Sequence, residues 1–154
     1  MMLPCAVDHS MLLNVFLKRE HGQTMRKILL IDDDDTFLKL LEKYVETRYP
    51  GLTVLTCNDP IKCLTSITDD LDLLLVDLEM PGLDGSKILA YAVSRGLSKN
   101  RIIILSGHDA DYLHDRFPMG RCLAVLNKFE AQQENALDMI FNSLQKKELT
   151  RGST

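Results

Sequence analysis

A regular alternation of short apolar runs and longer helical stretches after Arg26 limits what this chain can fold into. Five apolar runs have the length of strands, namely residues 27–31, 52–57, 71–76, 101–105 and 122–126. Three of these runs are apolar on both faces, as in strands that lie inside a parallel sheet covered on both sides. The repeated strand–helix order therefore predicts a doubly wound α/β domain.

Capping residues mark where the helices between these strands begin. Asp35 is the predicted N-cap of the first helix, which runs to about Arg48. Asp59 followed by Pro60 predicts the cap and the first residue of the second helix. The remaining helices are predicted at about residues 86–95, 110–115 and 132–147.

Composition sets the outer limits of the interpretation. We expect one domain over residues 25–148, an extension over residues 1–24 that can form a short helix, and a tail over residues 149–154, too short for an output domain. The net charge of −4 gives no reason to expect direct binding of nucleic acid. No apolar run reaches the ~18 residues of a membrane span, so we expect no membrane insertion.

The four cysteines are Cys5, Cys57, Cys63 and Cys122. None falls in a CxxC pair, and their spacing is typical of neither a zinc site nor a disulfide framework. We therefore expect reduced cysteines and a cytoplasmic location.

Polar residues with complementary chemistry stand at the carboxyl ends of four predicted strands. Asp32 and Asp33 follow the first strand, Asp77 the third and Ser106 the fourth, and Lys128 comes just after the fifth. In an α/β sheet, ligands bind outside these strand ends. Crowded carboxylates need a cation, and an oxygen-only ligand set favours Mg²⁺. A carboxylate beside that ion can attack a phosphoryl group, whose oxygens the lysine and the serine would bind.

This set of residues resembles the receiver domain family of two-component response regulators. The resemblance is carried by residues 28–33 (ILLIDD), 73–85 (LLLVDLEMPGLDG) and 102–107 (IIILSG), and by Lys128. It implies a flavodoxin-like sandwich, in which five helices cover a five-stranded parallel sheet. It also implies a phosphoacceptor signalling domain, not an enzyme that turns over a separate substrate.

The resemblance assigns roles to individual residues. Asp77 is expected to accept the phosphoryl group, and Ser106 and Lys128 to bind it. The implied ligands of Mg²⁺, or of Mn²⁺ in its place, are Asp32, Asp33, Asp77 and the backbone carbonyl of Glu79.

The implied phosphodonor is a sensor histidine kinase or a histidine phosphotransfer protein. Output is expected through contact with a further protein, which the sequence does not identify, because the chain has no second domain of its own. The resemblance also allows a homodimer through the fourth helix, the fifth strand and the fifth helix.

Three residues depart from the family pattern. Phe129 stands where receivers usually have a proline after the lysine, Val125 replaces an aromatic residue, and Ala124 replaces a common glycine. We expect a trans peptide bond before Phe129, because a cis bond to a residue other than proline costs ~3 kcal/mol, and a displaced Lys128 loop. A receiver that only binds a partner, without phosphorylation, is one alternative.

A second alternative is a phosphatase of the haloacid dehalogenase type. Residues 32–36 (DDDDT) fit its D-x-D-x-T motif, with Asp32 as nucleophile and Asp34 as general acid and base. This alternative leaves Asp77 without a role. The acidic residues after Lys128 also fall in a predicted helix, whereas the phosphatase needs them at a strand end.

Overall fold

The computed structural model describes residues 25–129 and 131–151, so the predicted extension over residues 1–24 lies outside the described residues. The strands are β1 (Arg26–Ile31), β2 (Leu52–Cys57), β3 (Leu73–Asp77), β4 (Ile102–Ser106) and β5 (Ala124–Asn127). The α-helices are α1 (Asp35–Arg48), α2 (Pro60–Cys63), α3 (Gly85–Ser94), α4 (Ala110–Arg116) and α5 (Ala131–Arg151). Short 3₁₀ turns at Leu64–Ser66 and Lys99–Arg101 follow α2 and precede β4.

The five strands form one parallel sheet in the order β2-β1-β3-β4-β5. The predicted fold class is therefore confirmed. The strand order places β1 and β3 side by side in the middle of the sheet, so their carboxyl ends meet at one edge. Because every strand runs in the same direction, residues that are far apart in the sequence converge at that edge.

Two apolar layers cover the faces of the sheet. On one face Leu29 and Ile31 of β1 pack in a cluster with residues from α2, α3 and α4. On the other face Ile28 and Leu30 pack in a cluster with residues from α1 and α5. Alternate residues of a strand point to opposite faces, so a central strand with helices on both sides must be apolar throughout.

The helix starts largely follow the predicted capping chemistry, with one correction. Asp34, not Asp35, is the N-cap of α1, because its extended backbone lets its carboxylate accept the N–H groups of Thr36 and Phe37. Asp59 caps α2 and Pro60 is its first residue, as predicted. The last helix continues to Arg151, beyond the predicted end. Within the described residues, no helix has the length and apolar character needed to cross a membrane.

The prediction for the cysteines is wrong at one pair. Cys57 and Cys63 form a disulfide, with their Cα atoms 5.8 Å apart. Cys57 ends β2, and the turn through Asp59 brings α2 back beside it, so the two side chains face each other. Nothing in a spacing of six residues reveals that turn. Among the described residues, Cys122 is the free cysteine.

Candidate functional site

The polar residues predicted at the strand ends meet at one edge of the sheet. Asp32 directly follows β1, Asp77 ends β3, Ser106 ends β4 and Lys128 directly follows β5. The parallel register pairs Asp77 with Leu105 and Ser106 with Asn127, which brings the last residues of these strands level with one another. Asp32, Asp77 and Ser106 are buried, so their polar atoms must find partners within the site.

Three carboxylates form an acidic cluster at this edge. Oxygens of Asp32, Asp33 and Asp77 all lie within 4.8 Å of one another, with Asp33 exposed and the other two buried. The backbone N–H of Asp34 donates to Oδ1 of Asp32 at 2.9 Å and orients that carboxylate. A set of three carboxylate oxygens with an open side fits a hard divalent cation.

Lys128 supplies the positive charge nearest to the cluster. Its ammonium contacts the Asp32 carboxylate and lies 3.3 Å from Oδ2 of Asp77. It also lies 4.7 Å from the centre of the Phe37 ring. Burial by itself would lower the pKa of Lys128, but its bonds to Asp32 and Asp77 outweigh burial and raise that pKa. Within the part of the chain that the structure describes, one ammonium faces three carboxylates, and a divalent cation would balance the excess of negative charge.

The carboxyl group of Asp77 has a pKa well above its ordinary value. Burial, together with the neighbouring charge of Asp32, raises the pKa of Asp77 to about 7, although Lys128 and the backbone N–H of Glu79 act in the opposite direction. Near neutral pH this carboxyl group is therefore poised between its two protonation states. A positive charge added to the cluster favours the ionised, nucleophilic form.

Ser106 begins a series of contacts that runs through Glu79 and His108 to Tyr112. Its hydroxyl donates to Oε1 of Glu79 at 2.7 Å, and it accepts the backbone N–H of His108 at 3.0 Å. The same Glu79 oxygen lies 3.3 Å from Nε2 of His108. The His108 ring stacks on Tyr112 of α4, with 4.1 Å between ring centroids. The sequence suggested only the backbone of Glu79 as a ligand, so the contacts of its side chain are a new feature.

Asn127 holds the Lys128 loop in place without a proline. The described residues contain no cis peptide bond, which agrees with the trans bond expected before Phe129. Asn127 accepts the N–H of Phe129 through its Oδ1 and donates from Nδ2 to the carbonyl of His108, each at 2.8 Å. The N–H of Lys128 also donates to the carbonyl of Ser106. Lys128 thus reaches both buried carboxylates although the usual proline is absent.

Gly85, the last residue of the 73–85 stretch, lies against Asp77 and was not predicted to contribute to the site. A Cβ atom at this position would lie 2.5 Å from the carbonyl oxygen of Asp77 and 2.9 Å from the Cα of Leu78. Its N–H donates to the carbonyl of Leu78 at 2.9 Å. The first turn of α3 therefore sits directly on the backbone of Asp77, and only glycine allows this approach. The Asp84-Gly85 pair alone does not distinguish such packing from an ordinary turn.

The geometry does not support the phosphatase alternative. Its proposed acid and base, Asp34, uses a carboxylate oxygen to cap α1 through Thr36 and Phe37. Asp77, which that alternative leaves without a role, lies instead among the acidic cluster and Lys128.

Comparison with known proteins agrees with this arrangement. A family model described as the response regulator receiver domain matches residues 28–140. The chain is 33% identical over 128 residues to the transcriptional regulatory protein CpxR of Escherichia coli, covering 72% of this chain and 54% of that protein. It is 34% identical over 112 residues to the two-component response regulator ARR12 of Arabidopsis thaliana, covering 70% of this chain and 18% of that protein. The chain thus spans about half the length of the CpxR relative.

Solved structures share the fold. A receiver domain protein from Clostridium thermocellum superposes with a TM-score of 0.63 at 24% identity, covering 82% of this chain and 98% of that one. The response regulator TrrA from Thermotoga maritima, solved in complex with Mg(2+)-BeF, gives a TM-score of 0.59 at 20% identity, covering 76% and 99%. With its matching family model, its strand order and its acidic cluster, the chain belongs to the response regulator receiver domain family.

Proposed function

We propose that Asp77 accepts a phosphoryl group from a phosphorylated histidine of a sensor kinase or of a histidine phosphotransfer protein. The observation that carries this proposal is the position of the Asp77 carboxylate. It is buried, it belongs to a three-carboxylate cluster, and it lies 3.3 Å from the Lys128 ammonium. A carboxylate in such surroundings is a suitable nucleophile once the excess negative charge is balanced.

Mg²⁺, or Mn²⁺ in its place, fits the cluster as a bound cofactor. Asp32, Asp33 and Asp77 would hold it, together with the backbone carbonyl of Glu79. The cation supplies positive charge that offsets the charge on the phosphoryl oxygens. The complex of the Thermotoga maritima regulator with Mg(2+)-BeF supports the same chemistry for this chain.

The transfer forms a bond between an Asp77 oxygen and phosphorus, while the bond from phosphorus to the donor nitrogen breaks. Lys128 binds one oxygen of the phosphoryl group from its place beside Asp77 and Asp32. The hydroxyl of Ser106 donates to another oxygen, and for this it must leave Glu79. Attack of water on phosphorus later breaks the bond to the Asp77 oxygen and returns the carboxylate.

The exchange of partners at Ser106 offers a route for the signal. When Ser106 turns to the phosphoryl group, the Glu79 carboxylate loses its hydrogen-bond donor and faces a new negative charge. Glu79 and the neighbouring His108 then rearrange, and the stacked ring of Tyr112 carries the change into α4. This route needs no aromatic residue at position 125, where the chain has a half-buried valine.

We further propose that the output surface is formed by α4, β5 and α5. A pocket of about 420 Å³ lies there, with a lining that includes Leu113, Phe117, Cys122 and Leu126. Its occupant would be a partner protein or a second copy of the chain. A cytoplasmic location, and the division into an extension over residues 1–24, a receiver over residues 25–148 and a tail over residues 149–154, remain parts of this proposal.

Intact-mass measurement after incubation with acetyl phosphate and Mg²⁺ tests the proposed acceptor. Wild-type protein should gain the mass of one phosphoryl group, and Asp77→Asn should gain none. Asp69→Asn, at an exposed position away from the cluster, is the matched control and should behave as wild type. No mass gain in the wild type, with Mg²⁺ and with a kinase-derived donor, would favour a receiver that only binds a partner.

A further inference from the structure

The disulfide between Cys57 and Cys63 lies next to the acidic cluster. Cys57 is the last residue of β2 and pairs with Ile31, the residue before Asp32. The backbone carbonyl of Cys57 accepts the N–H of Asp32 at 3.2 Å. The cysteine pair is thus joined by one hydrogen bond to the backbone of Asp32, a residue of the proposed metal site.

The turn closed by this disulfide holds the acidic loop at a second point. Nδ2 of Asn58 donates to Oδ1 of Asp35 at 2.8 Å. The next residue, Asp59, caps α2 through the N–H groups of Ile61 and Lys62, so the turn is also tied to that helix. Any change in the order of this turn therefore acts on both ends of the loop from Asp32 to Asp35.

The surroundings of the pair suit both oxidation states. Cys57 is half-buried, which lets a small reagent reach its sulfur, whereas Cys63 is fully buried in the apolar layer under α2. In the disulfide-bonded structure the Cys57 sulfur lies 3.5 Å from the carbonyl oxygen of Asp59. After reduction, that carbonyl is an acceptor within reach of the Cys57 thiol.

We propose that Cys57 and Cys63 form a reversible thiol–disulfide pair whose oxidation strengthens cation binding by the acidic cluster. The oxidant is a low-molecular-weight disulfide such as oxidised glutathione. The Cys57 thiolate attacks one sulfur of the reagent, forms a mixed disulfide and releases one thiol. Cys63 then attacks the Cys57 sulfur and releases the second. The protein loses two electrons and two protons, and the reagent gains them as two free thiols.

Oxidation is expected to strengthen Mg²⁺ binding because it orders the turn between Cys57 and Cys63. The disulfide restricts the backbone between Cys57 and Cys63, and through Asn58 and the Cys57 carbonyl it restricts the acidic loop as well. A loop that is already ordered loses less conformational entropy when a cation binds. We expect the dissociation constant for Mg²⁺ to be about fivefold lower in the oxidised protein, at the lower end of typical coupling between two sites.

The inference rests on the proposed metal site, so the experiment measures the disulfide and the cation separately. Full-length protein is equilibrated with mixtures of reduced and oxidised glutathione, quenched with acid and digested with trypsin. Lys62 lies between the two cysteines, so cleavage there leaves peptides that stay joined only through the disulfide. Titration calorimetry with MgCl₂ then gives the dissociation constant of each form.

We expect joined peptides under oxidising mixtures, separate peptides in excess reduced glutathione, and tighter Mg²⁺ binding by the oxidised form. By linkage, saturating Mg²⁺ should change the ratio of the squared concentration of reduced glutathione to the concentration of oxidised glutathione, taken where half of the protein is oxidised, by the same factor. Cys122→Ser should behave as wild type, whereas Cys57→Ser should bind Mg²⁺ as the reduced protein does under all conditions.

Peptides that never join, or that stay joined in excess reduced glutathione, would overturn the inference whatever Mg²⁺ does. Equal Mg²⁺ affinities of the two forms would overturn it and leave the proposed function intact. Absence of Mg²⁺ binding in both forms would overturn the metal site and, with it, the coupling.

Discussion

At the scale of single residues, the main feature of the site is an excess of negative over positive charge. Among the described residues, Asp32, Asp33 and Asp77 share one nearby ammonium, that of Lys128. Crowded, buried carboxylates carry a cost in stability, which a bound cation relieves. The imbalance of charge that supports the proposed role of Asp77 therefore lowers the stability of the metal-free protein.

Asp77→Asn is expected to stabilise the metal-free protein at pH 8. The pKa of Asp77 is about 7 in the folded protein, above its ordinary value of 3.8, so the folded state holds the proton more tightly than the unfolded state. Wild-type stability therefore falls as the pH rises from about 4 to about 7, and the amide does not share this loss. The variant should exceed wild type by about 1–3 kcal/mol in the free energy of unfolding at pH 8.

Urea denaturation without divalent cations, at pH 4 and at pH 8, checks this prediction. The difference between Asp77→Asn and wild type should shrink at the lower pH, and added Mg²⁺ at pH 8 should stabilise the wild type more than the variant. Asp69→Asn, at an exposed position, serves as the control. A stability difference that does not depend on pH would contradict the assignment of the raised pKa to Asp77.

His108→Ala should uncouple α4 from the proposed phosphorylation site at Asp77. Beryllofluoride with Mg²⁺ imitates the bound phosphoryl group, and in the wild type it should shift the NMR amide signals of Ala110–Arg116. Without the ring of His108, the contact from Glu79 to Tyr112 is broken, so the shifts should stay near Asp77.

Tyr112→Phe provides the comparison for this relay. It keeps the stacked ring and removes only the hydroxyl that accepts a hydrogen bond from Arg116. Its α4 signals should therefore still respond to beryllofluoride. If α4 responds fully in His108→Ala, the signal takes another route.

At the scale of helices and strands, most of the fold could be predicted because residues within or beside each element determine its type. The central strands had to be apolar on both faces, and Asp59-Pro60 had to start a helix. The predicted N-cap of α1 was wrong because the path of the backbone before the helix, and not the residue type, decides which residue caps it. Asp34 and Asp35 are equally good caps in the sequence, and only the bend after β1 selects Asp34.

In the candidate site, too, some residues could be predicted from the sequence and others could not. Asp32, Asp77, Ser106 and Lys128 stand at strand ends, so the parallel topology alone brings them together. The Cys57–Cys63 disulfide, the bridge through Asn127 and the packing of Gly85 on Asp77 all depend on how turns approach one another. No periodicity or motif in a single sequence specifies these approaches.

Gly85→Ala is expected to destabilise the protein although alanine is the better helix former. The added Cβ atom would stand 2.5 Å from the carbonyl oxygen of Asp77, so α3 must move away from β3. Overpacking of this kind costs about 1–3 kcal/mol in the free energy of unfolding. The displacement should also weaken Mg²⁺ binding, because it moves the backbone that carries Asp77.

Thermal and urea denaturation of Gly51→Ala give the matched comparison. At Gly51 a Cβ atom would meet only the flexible side chain of Gln145, at 3.3 Å, so the change should stay within about 0.5 kcal/mol. If the two variants lose equal stability, the short distance between Gly85 and the backbone of Asp77 does not explain why position 85 requires glycine.

At the scale of the whole molecule, exposed apolar side chains belong to the lining of the pocket beside α4, β5 and α5. Met119 and Leu123 both line the pocket and are both exposed. Apolar groups gathered around a pocket are typical of a surface that binds another protein.

Leu123→Asp should prevent self-association if the proposed homodimer forms through this surface. Light scattering after gel filtration should give a larger molar mass for wild-type protein with Mg²⁺ and beryllofluoride, and a monomer for the variant, because a charge would be buried in an apolar contact. Val93→Asp, at an equally exposed position on α3, is the control and should dimerise as wild type. If the wild-type protein stays monomeric, the homodimer is excluded under these conditions, and the surface of α4, β5 and α5 would instead bind a different protein.

The convergence of the site on four strands has a consequence for the cell. Asp32 follows β1 and Lys128 follows β5, so the site exists only after β1, β3, β4 and β5 have assembled. A partly folded chain, or one still emerging from the ribosome, lacks this site. Under the proposed function, phosphorylation therefore reports a completed fold as well as a signal.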